Sequence, residues 1–440
     1  MKIINDIKNI ITDIYENGDI TQEELRDPEV INEVLDIVSS LIGFIYAPEI
    51  PPFDKVMIEG RKILEKYIMD DVVYMSLVDR EEHTLPLSES DIEELKDKFK
   101  YLDEQPRHKQ RSDEWYKTRD SMITASDLAT ALGKSHYNTR NDLIVKKCGV
   151  KKPFIAGKAI KHGVKYEDVA VKLYSERNKV RVKEYGCIRH RSISCLGASP
   201  DGICSLDSPN TDLIGRMLEI KCPTSRKITG IPPINYAIQV QAQLEVCDLK
   251  YCDFLECKIK EYDYESYLQN PSNEKGCVIT YYDKNENTDK FFYSDLGLNA
   301  EQMTKWKDMM FDKILENDNL EYIETSYWKL EKYSCVLLKR SKEWFNSELK
   351  NIKKFWEDVE FYREYGHEVL MKDKVKKTYE KKKTYKTSSN GSGFLSDIED
   401  EMNDNELIQK KQKKQKKQKK QKEQSNLNKD GTPKVIHLDI

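Results

Sequence analysis

The sequence predicts a mixed α/β (α+β) fold, in which a mixed central sheet is flanked by helices and carries helical extensions at both ends. Three observations predict this class. Apolar residues recur at helical spacing through residues 1–105. Short apolar runs typical of strands then alternate with helical patterns between about 106 and 330. The helical pattern returns over residues 300–375.

Residues 1–105 are predicted to form a separate helical extension. The stretch "TQEELRDPEVINEVLDIVSSLIGFIY" has apolar residues at helical spacing and Thr21 as its N-terminal cap, and "APEIPP" interrupts it. Further helices are expected over about 55–80 and over "SESDIEELKDKFKYL". The opening "MKIINDIKNIITDIYENGD" places acids within its apolar stretch, which predicts an amphipathic helix and not a signal peptide. Packing is the simplest role for this unit, and partner binding or bracing is the alternative.

Residues 106–375 are predicted to form one domain around the sheet. Helices are expected at "SDEWYKTR", "TASDLATALG", "GVKYEDVAVKLYSERN" and, opened by prolines, "PPINYAIQVQAQLEVC". Strands are expected at "YGCIRH", "MLEIKC", "YCDFLECKI", "CVITYYD" and "KFFYS". The stretch 300–375 is predicted to be helical, with four packing anchors, Trp306, Trp328, Trp344 and Trp356.

Residues 376–440 are predicted to be a disordered tail. The flexible linker "KTSSNGSG" precedes the acidic "SDIEDEMNDNE". Residues 409–424, "QKKQKKQKKQKKQKEQ", then carry nine lysines, which repel one another and prevent a packed core. Such a tract is compatible with loose DNA binding, with a nuclear address or with a purely solubilising role.

Composition excludes several classes of protein. No run of eighteen apolar residues exists, so no ordinary transmembrane helix and no membrane partner are expected. The ten cysteines form no C-x-x-C pair and no zinc spacing, which predicts reduced thiols in an intracellular protein and argues against an iron–sulfur site. Net charge is −4, yet residues 140–191 hold fifteen Lys/Arg against five Asp/Glu. That local excess is typical of a phosphate-binding surface, and a solvated basic face is the alternative.

The stretch "RMLEIKCP" places two charges inside an apolar run. In a strand Glu219 and Lys221 point to one face, while Leu218 and Ile220 face a core. An ordinary amphipathic strand would explain this pattern equally well. However, Asp201 of a Pro-Asp-Gly turn lies 18 residues before Glu219, so a hairpin would bring the three charges together. Two carboxylates repel unless a cation lies between them, and hard oxygen ligands suit Mg²⁺ or Mn²⁺.

Five blocks in order resemble the phage-lambda-type alkaline exonucleases, the YqaJ-like viral recombinase family. They cover about residues 107–260, a third of the chain, and are "WYKTRDSMITASD", "GVKYEDVA", "GASPDG", "LEIKCP" and "YAIQVQAQL". Asp201 with Glu219-x-Lys221 resembles the PD-(D/E)xK signature, which implies a restriction-endonuclease-like core. The extension 1–105, the segment 300–375 and the tail depart from the family and leave oligomeric state and partner docking open.

The resemblance implies roles for six residues of the catalytic site. Asp201, Glu219 and the backbone carbonyl of Ile220 are implied ligands of Mg²⁺ or Mn²⁺, with two ions expected. Lys221 resembles the lysine that activates the attacking water. Glu167 matches an acid that completes the site through a second metal or its water. Gln239 matches a glutamine that positions water; a polar residue on a helix surface is its ordinary interpretation.

The resemblance also implies a pocket for a terminal 5′ phosphate formed by Arg119, Ser126 and Ser199. Each has a simpler interpretation: Arg119 as a surface arginine paired with Asp120, Ser126 as a helix cap, and Ser199 as support for the turn. A guanidinium with two hydroxyls nevertheless suits phosphate well.

These implications give one expected function and two alternatives. The expected protein is a metal-dependent exonuclease from a large DNA virus, which acts 5′→3′ on double-stranded ends in recombination or replication. A single-strand annealing protein and a homotrimer are implied partners. It would act in the host cytoplasm or nucleus, or be packaged in the virion. A structure-specific endonuclease on the same core and a non-catalytic DNA-binding or packaging protein are the alternatives.

Overall fold

The computed structural model describes residues 2–16, 28–47, 51–68, 71–108, 112–135, 137–150 and 157–370. The predicted tail 376–440, with its Lys/Gln tract, lies outside these residues, as does the Thr21 cap. All ten cysteines lie inside them and are free. In the described part of the chain, every helix is too short or too polar to cross a bilayer.

The described chain forms fourteen α-helices and eleven strands, together with a 3₁₀ turn at Thr211–Leu213. The helices are α1 (Lys2–Glu16), α2 (Pro28–Tyr46), α3 (Phe53–Ile68), α4 (Asp71–Ser76), α5 (Arg80–His83), α6 (Glu89–Glu104), α7 (Asp113–Asp120), α8 (Ala125–Ala131), α9 (Arg140–Lys147), α10 (Lys158–Asn178), α11 (Ile234–Cys247), α12 (Tyr264–Gln269), α13 (Ala300–Leu315) and α14 (Lys342–Tyr365). The strands are β1 (Leu77–Val78), β2 (Ile123–Thr124), β3 (Val182–Lys183), β4 (Ile188–Arg189), β5 (Leu196–Ala198), β6 (Gly202–Cys204), β7 (Met217–Lys221), β8 (Tyr251–Tyr262), β9 (Lys275–Asp283), β10 (Thr288–Tyr293) and β11 (Leu320–Lys339).

The central sheet is mixed, as predicted. Its strand order is β10-β9-β11-β8-β7-β6-β3, with β1 added to β11. Strands β7 and β8 are parallel and the other pairs are antiparallel. A small second sheet, β2-β5-β4, lies beside it. Helices cover the central sheet, so the predicted α+β class is confirmed.

The two faces of β7 contact different cores. Leu218 and Ile220 pack with α10, whereas Met217 lies in the core that contains the apolar face of α11. Because side chains alternate along a strand, Glu219 and Lys221 share the α11 side with Met217. This alternation puts two charges between the sheet and a helix, where a strand would ordinarily place apolar residues.

The N-terminal helices divide into two groups. Helices α1–α3 pack around their own core, which includes Ile11, Val38 and Ile42. The residues that follow belong to the main core instead, because α4 and α6 contribute side chains to it and β1 pairs with β11. The predicted boundary at residue 105 therefore falls inside a single core.

The helix predicted over residues 300–375 is wrong for residues 320–339, which form the 20-residue strand β11. This strand pairs with β8 on one side and β9 on the other. Trp328 lies in it and is 2% exposed, whereas Trp306, Trp344 and Trp356 lie on helices. Pairing on both edges overrides local helical spacing, because strand formation depends on neighbouring strands more than on intrinsic preference.

Candidate active site

The β6–β7 hairpin joins Asp201 to the strand that carries Glu219 and Lys221. Gly202 pairs with Leu218, and one Asp201 carboxylate oxygen accepts a hydrogen bond of 2.7 Å from the backbone N–H of Ile220. Glycine is required after Asp201, because a Cβ there would lie 2.2 Å from a methyl carbon of Val182. The hairpin thus fixes Asp201 against the middle of the E-x-K segment.

Glu219 is fully buried and accepts hydrogen bonds from three side chains. Its Oε1 receives one from the Lys221 ammonium and one from Gln239 Nε2 at 2.7 Å. Its Oε2 receives one from Gln243 Nε2 at 2.6 Å. A buried carboxylate needs such partners, because an unpaired charge away from water is costly. Both oxygens are therefore held in a fixed orientation.

The surroundings of Lys221 favour its charged form. Burial alone would lower its pKa, but the carboxylates of Glu219 and Asp201 raise the pKa well above its usual range. Its Nζ lies 5.0 Å from the centroid of the Tyr236 ring. A protonated lysine in this position is suited to stabilise negative charge.

Glu167 on α10 belongs to the same electrostatic cluster. Burial, followed by the charges of Asp168 and Glu219, raises the pKa of Glu167 to about 7, against the opposing effect of Lys221. Burial and the Glu219 carboxylate likewise raise the pKa of Asp201 well above its usual range. Acids crowded in this way repel one another when ionised, and Lys221 offsets only part of that repulsion.

The crowded carboxylates fit a divalent cation. Oxygen donors are those that Mg²⁺ and Mn²⁺ prefer, and a cation between Asp201 and Glu219 would relieve their repulsion. Within the described ranges, no three His, Cys, Asp or Glu side chains form a ready-made group of ligands. The predicted ligand set is not a group of three side chains, because its third ligand is the backbone carbonyl of Ile220.

Arg119, Ser126 and Ser199 come together in a second cluster, called here the anion pocket. The Arg119 guanidinium, at the end of α7, donates to Ser126 Oγ at 3.0 Å and to Ser199 Oγ at 3.3 Å. It also approaches Thr124 Oγ1 at 3.4 Å and stacks on the Trp115 ring, 4.3 Å from its centroid. The sequence does not predict Thr124 as a member of this cluster. Thr124, not Ser126, occupies the N-cap position of α8, and its side chain makes no capping hydrogen bond there.

Two charged side chains, Asp127 and Lys147, support the anion pocket. Asp127 accepts hydrogen bonds or ion pairs from Thr124 at 2.8 Å and from Lys147 at 2.9 Å. Burial raises the pKa of Asp127, but the charges of Lys147 and Lys146 outweigh burial and hold it well below its usual range. Lys147 also donates to the backbone carbonyl of Arg119 at 2.8 Å. The backbone of Arg119 is thus anchored by a side chain that is itself 1% exposed.

The glutamines of α11 have different environments. Gln239 and Gln243, one helical turn apart, both face Glu219. Gln241 points elsewhere and binds the backbone of Lys339 and Ser341. The sequence indicates Gln239 only through the family resemblance and gives no indication of Gln243. Once Gln239 is placed at the site, the i,i+4 spacing on a helix puts Gln243 on the same face.

Known sequences are similar to this chain over the region that contains the site. Residues 114–250 match the family model of the YqaJ-like viral recombinase domain, which confirms the predicted resemblance. Uncharacterized protein R354 of Acanthamoeba polyphaga mimivirus is 35% identical over 314 residues, which are 63% of this chain and 57% of that protein. A protein of African swine fever virus is 28% identical over 158 residues, which are 31% of this chain and 45% of that protein. The chain thus spans about half the length of these relatives.

Two solved structures resemble the chain at low similarity. The alkaline exonuclease LHK-Exo of Laribacter hongkongensis is 20% identical, with a TM-score of 0.35 over 61% of this chain and 100% of that one. A phage-related exonuclease of Haemophilus somnus is 13% identical, with a TM-score of 0.30 over 57% of this chain and 96% of that one. The family match therefore depends on the sequence comparison and not on these superpositions.

Proposed function

Because residues 114–250 match the YqaJ-like viral recombinase domain, we propose that this chain is a metal-dependent DNA exonuclease. It acts 5′→3′ on double-stranded ends and resects DNA for recombination or replication. One observation carries the proposal: the Asp201–Glu219–Lys221 cluster and the anion pocket are joined by the three-residue segment 199–201. A site for a terminal phosphate beside a site for phosphodiester hydrolysis suits an enzyme that works from ends.

The proposed catalytic residues act either through their charge or by orienting another group. Asp201, Glu219 and the Ile220 carbonyl would hold Mg²⁺ or Mn²⁺, and Glu167 would complete the site around a second ion. Bound metal polarises the phosphate and lowers the pKa of its water. The Lys221 ammonium, whose pKa the neighbouring carboxylates raise, would stabilise negative charge as it develops on the phosphate oxygens. Gln239 keeps the Glu219 carboxylate oriented.

The anion pocket would bind the 5′ phosphate of the duplex end. A guanidinium offers two parallel donors to phosphate oxygens, and the hydroxyls of Ser126, Ser199 and Thr124 add neutral donors. Because Ser126 is exposed, the pocket is open to a ligand from solvent. Binding there would place the first scissile bond beside Asp201 and Glu219.

Digestion of end-labelled linear duplex tests the proposal directly. With Mg²⁺ present, 5′-phosphorylated ends should be degraded faster than 5′-hydroxyl ends, and EDTA should stop the reaction. A covalently closed circle should remain intact, which separates this function from the endonuclease alternative. Equal rates on the two ends, loss of label in the 3′→5′ direction or cutting of the circle would contradict the proposal.

The non-catalytic alternative is disfavoured by the site itself. A protein that only binds DNA has no need for Glu167, Asp201, Glu219 and Lys221 in one cluster, and all four are present.

We also propose, from the resemblance, a homotrimer and a single-strand annealing protein as partners. Sedimentation of the protein with and without duplex DNA would measure the first, and co-purification with an annealing protein the second.

A further inference from the structure

Gln243 lies between the anion pocket and the catalytic carboxylates and contacts both. Its Nε2 donates to Glu219 Oε2 at 2.6 Å and faces the backbone carbonyl of Ser199 at 3.4 Å. We propose that Gln243 is a positioning residue that couples occupancy of the anion pocket to the orientation of Glu219. The inference rests on the proposed exonuclease function and extends it to a residue outside the predicted site.

The orientation of this amide follows from its neighbours. Both groups that face Nε2, a carboxylate and a carbonyl, are acceptors only. The reversed amide would place its oxygen against two other oxygens, so the nitrogen must point at them. Gln243 therefore uses both of its N–H groups to hold two parts of the site together.

The other end of the Gln243 side chain lacks a hydrogen-bond partner in the described part of the chain. Gln243 is fully buried, and its Oε1 has no hydrogen-bond partner among the described residues. A buried acceptor without a partner destabilises a folded protein, and such groups need an explanation other than stability. An aliphatic side chain would avoid that cost but would leave Glu219 Oε2 without the donor that orients it.

The path from the anion pocket to Glu219 is short. Ser199 Oγ accepts from Arg119 at 3.3 Å, and the carbonyl of the same residue faces Gln243. A phosphate that binds Arg119 and Ser199 would therefore shift or fix the atoms against which Gln243 is held. Gln239 makes the equivalent bond to Glu219, 2.7 Å long, from the other side of the carboxylate. A comparison of variants at Gln243 and Gln239 therefore distinguishes coupling to the anion pocket from support of Glu219 alone.

Rates on 5′-phosphorylated and 5′-hydroxyl linear duplex test the proposal in full-length variants. Gln243→Met keeps the length of the side chain but removes its donors. It should lower kcat on the phosphorylated end roughly tenfold or more with little change in KM, and bring the two ends to similar rates. Gln239→Met should lower kcat on both ends and preserve their ratio. Gln241→Met, which removes equally buried hydrogen bonds outside the site, is the matched control and should keep wild-type kinetics.

A double-mutant cycle with Arg119→Ala gives a second, independent measurement. If Gln243 acts through the pocket, adding Gln243→Met to Arg119→Ala should cause a smaller loss than it does in the wild type. Additive losses, or a wild-type phosphate preference in Gln243→Met, would overturn the coupling role. If the unmodified protein degrades both ends equally or neither end, the proposed function fails instead, before any variant is compared.

Discussion

At the scale of single residues, the site is defined by how charge is balanced around Glu219. One lysine and two amides converge on a carboxylate that has no access to water. Asp201 accepts a hydrogen bond from the backbone N–H of Ile220. The only ammonium in direct contact with Glu219, within the described residues, is therefore that of Lys221, which makes this side chain the most informative one to change.

Lys221→Met should abolish most activity without preventing DNA binding. The variant keeps the aliphatic stem but removes the charge that stabilises the transition state, so we expect kcat to fall about 10²- to 10³-fold. Lys258→Met is the control, since Lys258 pairs with Glu331 at the surface, 3.2 Å away. Activity of Lys221→Met within a few-fold of wild type would show that the lysine has a structural role alone.

Arg119→Lys should erase most of the preference for 5′-phosphorylated ends. Lysine keeps the charge but loses the paired donors and the stacking on Trp115. The measurement is the ratio of initial rates on phosphorylated and hydroxyl ends. Arg177→Lys, which alters the ion pair with Glu274, serves as the control and should leave the ratio unchanged. An unchanged ratio in Arg119→Lys would place the phosphate elsewhere.

Individual site residues differ in how far the sequence can identify them. Glu219 and Lys221 follow from strand alternation, and Asp201 follows from its turn and spacing. Gln243 does not, because the face of α11 that meets the sheet is set by packing between distant segments. Thr124 escapes prediction for a similar reason: its hydroxyl position depends on Asp127, which in turn depends on Lys147 from another helix.

At the scale of elements, α11 and β11 show what periodicity can and cannot predict. Helix α11 is expected from its prolines and apolar spacing, and it forms. Strand β11, by contrast, lies in the stretch 300–375 that is predicted to be helical. Its partners β8 and β9 end at Tyr262 and Asp283, well before β11 begins at Leu320. Pairing between segments so far apart leaves no local signal in the sequence.

Trp328→Ala should test the importance of β11 for stability. The ring is 2% exposed and packs so closely on Gly276 that a Cβ there would lie 2.8 Å from it. Loss of a buried aromatic should lower the free energy of unfolding by about 3–5 kcal/mol in denaturant titrations. Tyr322→Ala, on an exposed part of the same strand, should change it by less than about 1 kcal/mol. Equal effects would mean that Trp328 is not an anchor.

At the scale of the whole molecule, the N-terminal residues belong to two units. Arg80 reaches the fully buried Asp253 at 2.6 Å, where Arg216 and Tyr174 also bind that carboxylate. Helices α1–α3, by contrast, share a core mostly among themselves. The segment 71–105 is therefore part of the structure that supports the site, and the preceding helices are an addition to it.

Two truncations should separate these units. Deletion of residues 2–68 should leave a folded, active protein, because the main core loses almost no member. Deletion of residues 2–105 should give an unfolded or insoluble protein, since it uncovers apolar core and removes one arginine from Asp253. Circular dichroism and digestion of linear duplex measure both outcomes. A folded, active 106–440 chain would contradict this division.

Removal of residues 405–440 should weaken DNA binding without stopping catalysis at low salt. The tract carries nine lysines between 409 and 424, and each phosphate contact releases counterions. The slope of log affinity against log salt should therefore become shallower, as measured by fluorescence anisotropy. A variant that replaces these lysines with glutamine keeps the length and should behave like the deletion. Complete loss of cleavage would assign the tail a structural role.

The central place of β11 has a consequence for how the protein is made. A ribosome delivers the chain from its N-terminus, so β8, β9 and β10 emerge before the strand that separates β8 from β9. Until residue 339 has left the exit tunnel, the nascent chain holds two partial sheets whose facing edges are open. Any premature stop before that point leaves both edges without their shared neighbour. The sheet that carries the carboxylates can therefore close only after residue 339 has left the ribosome.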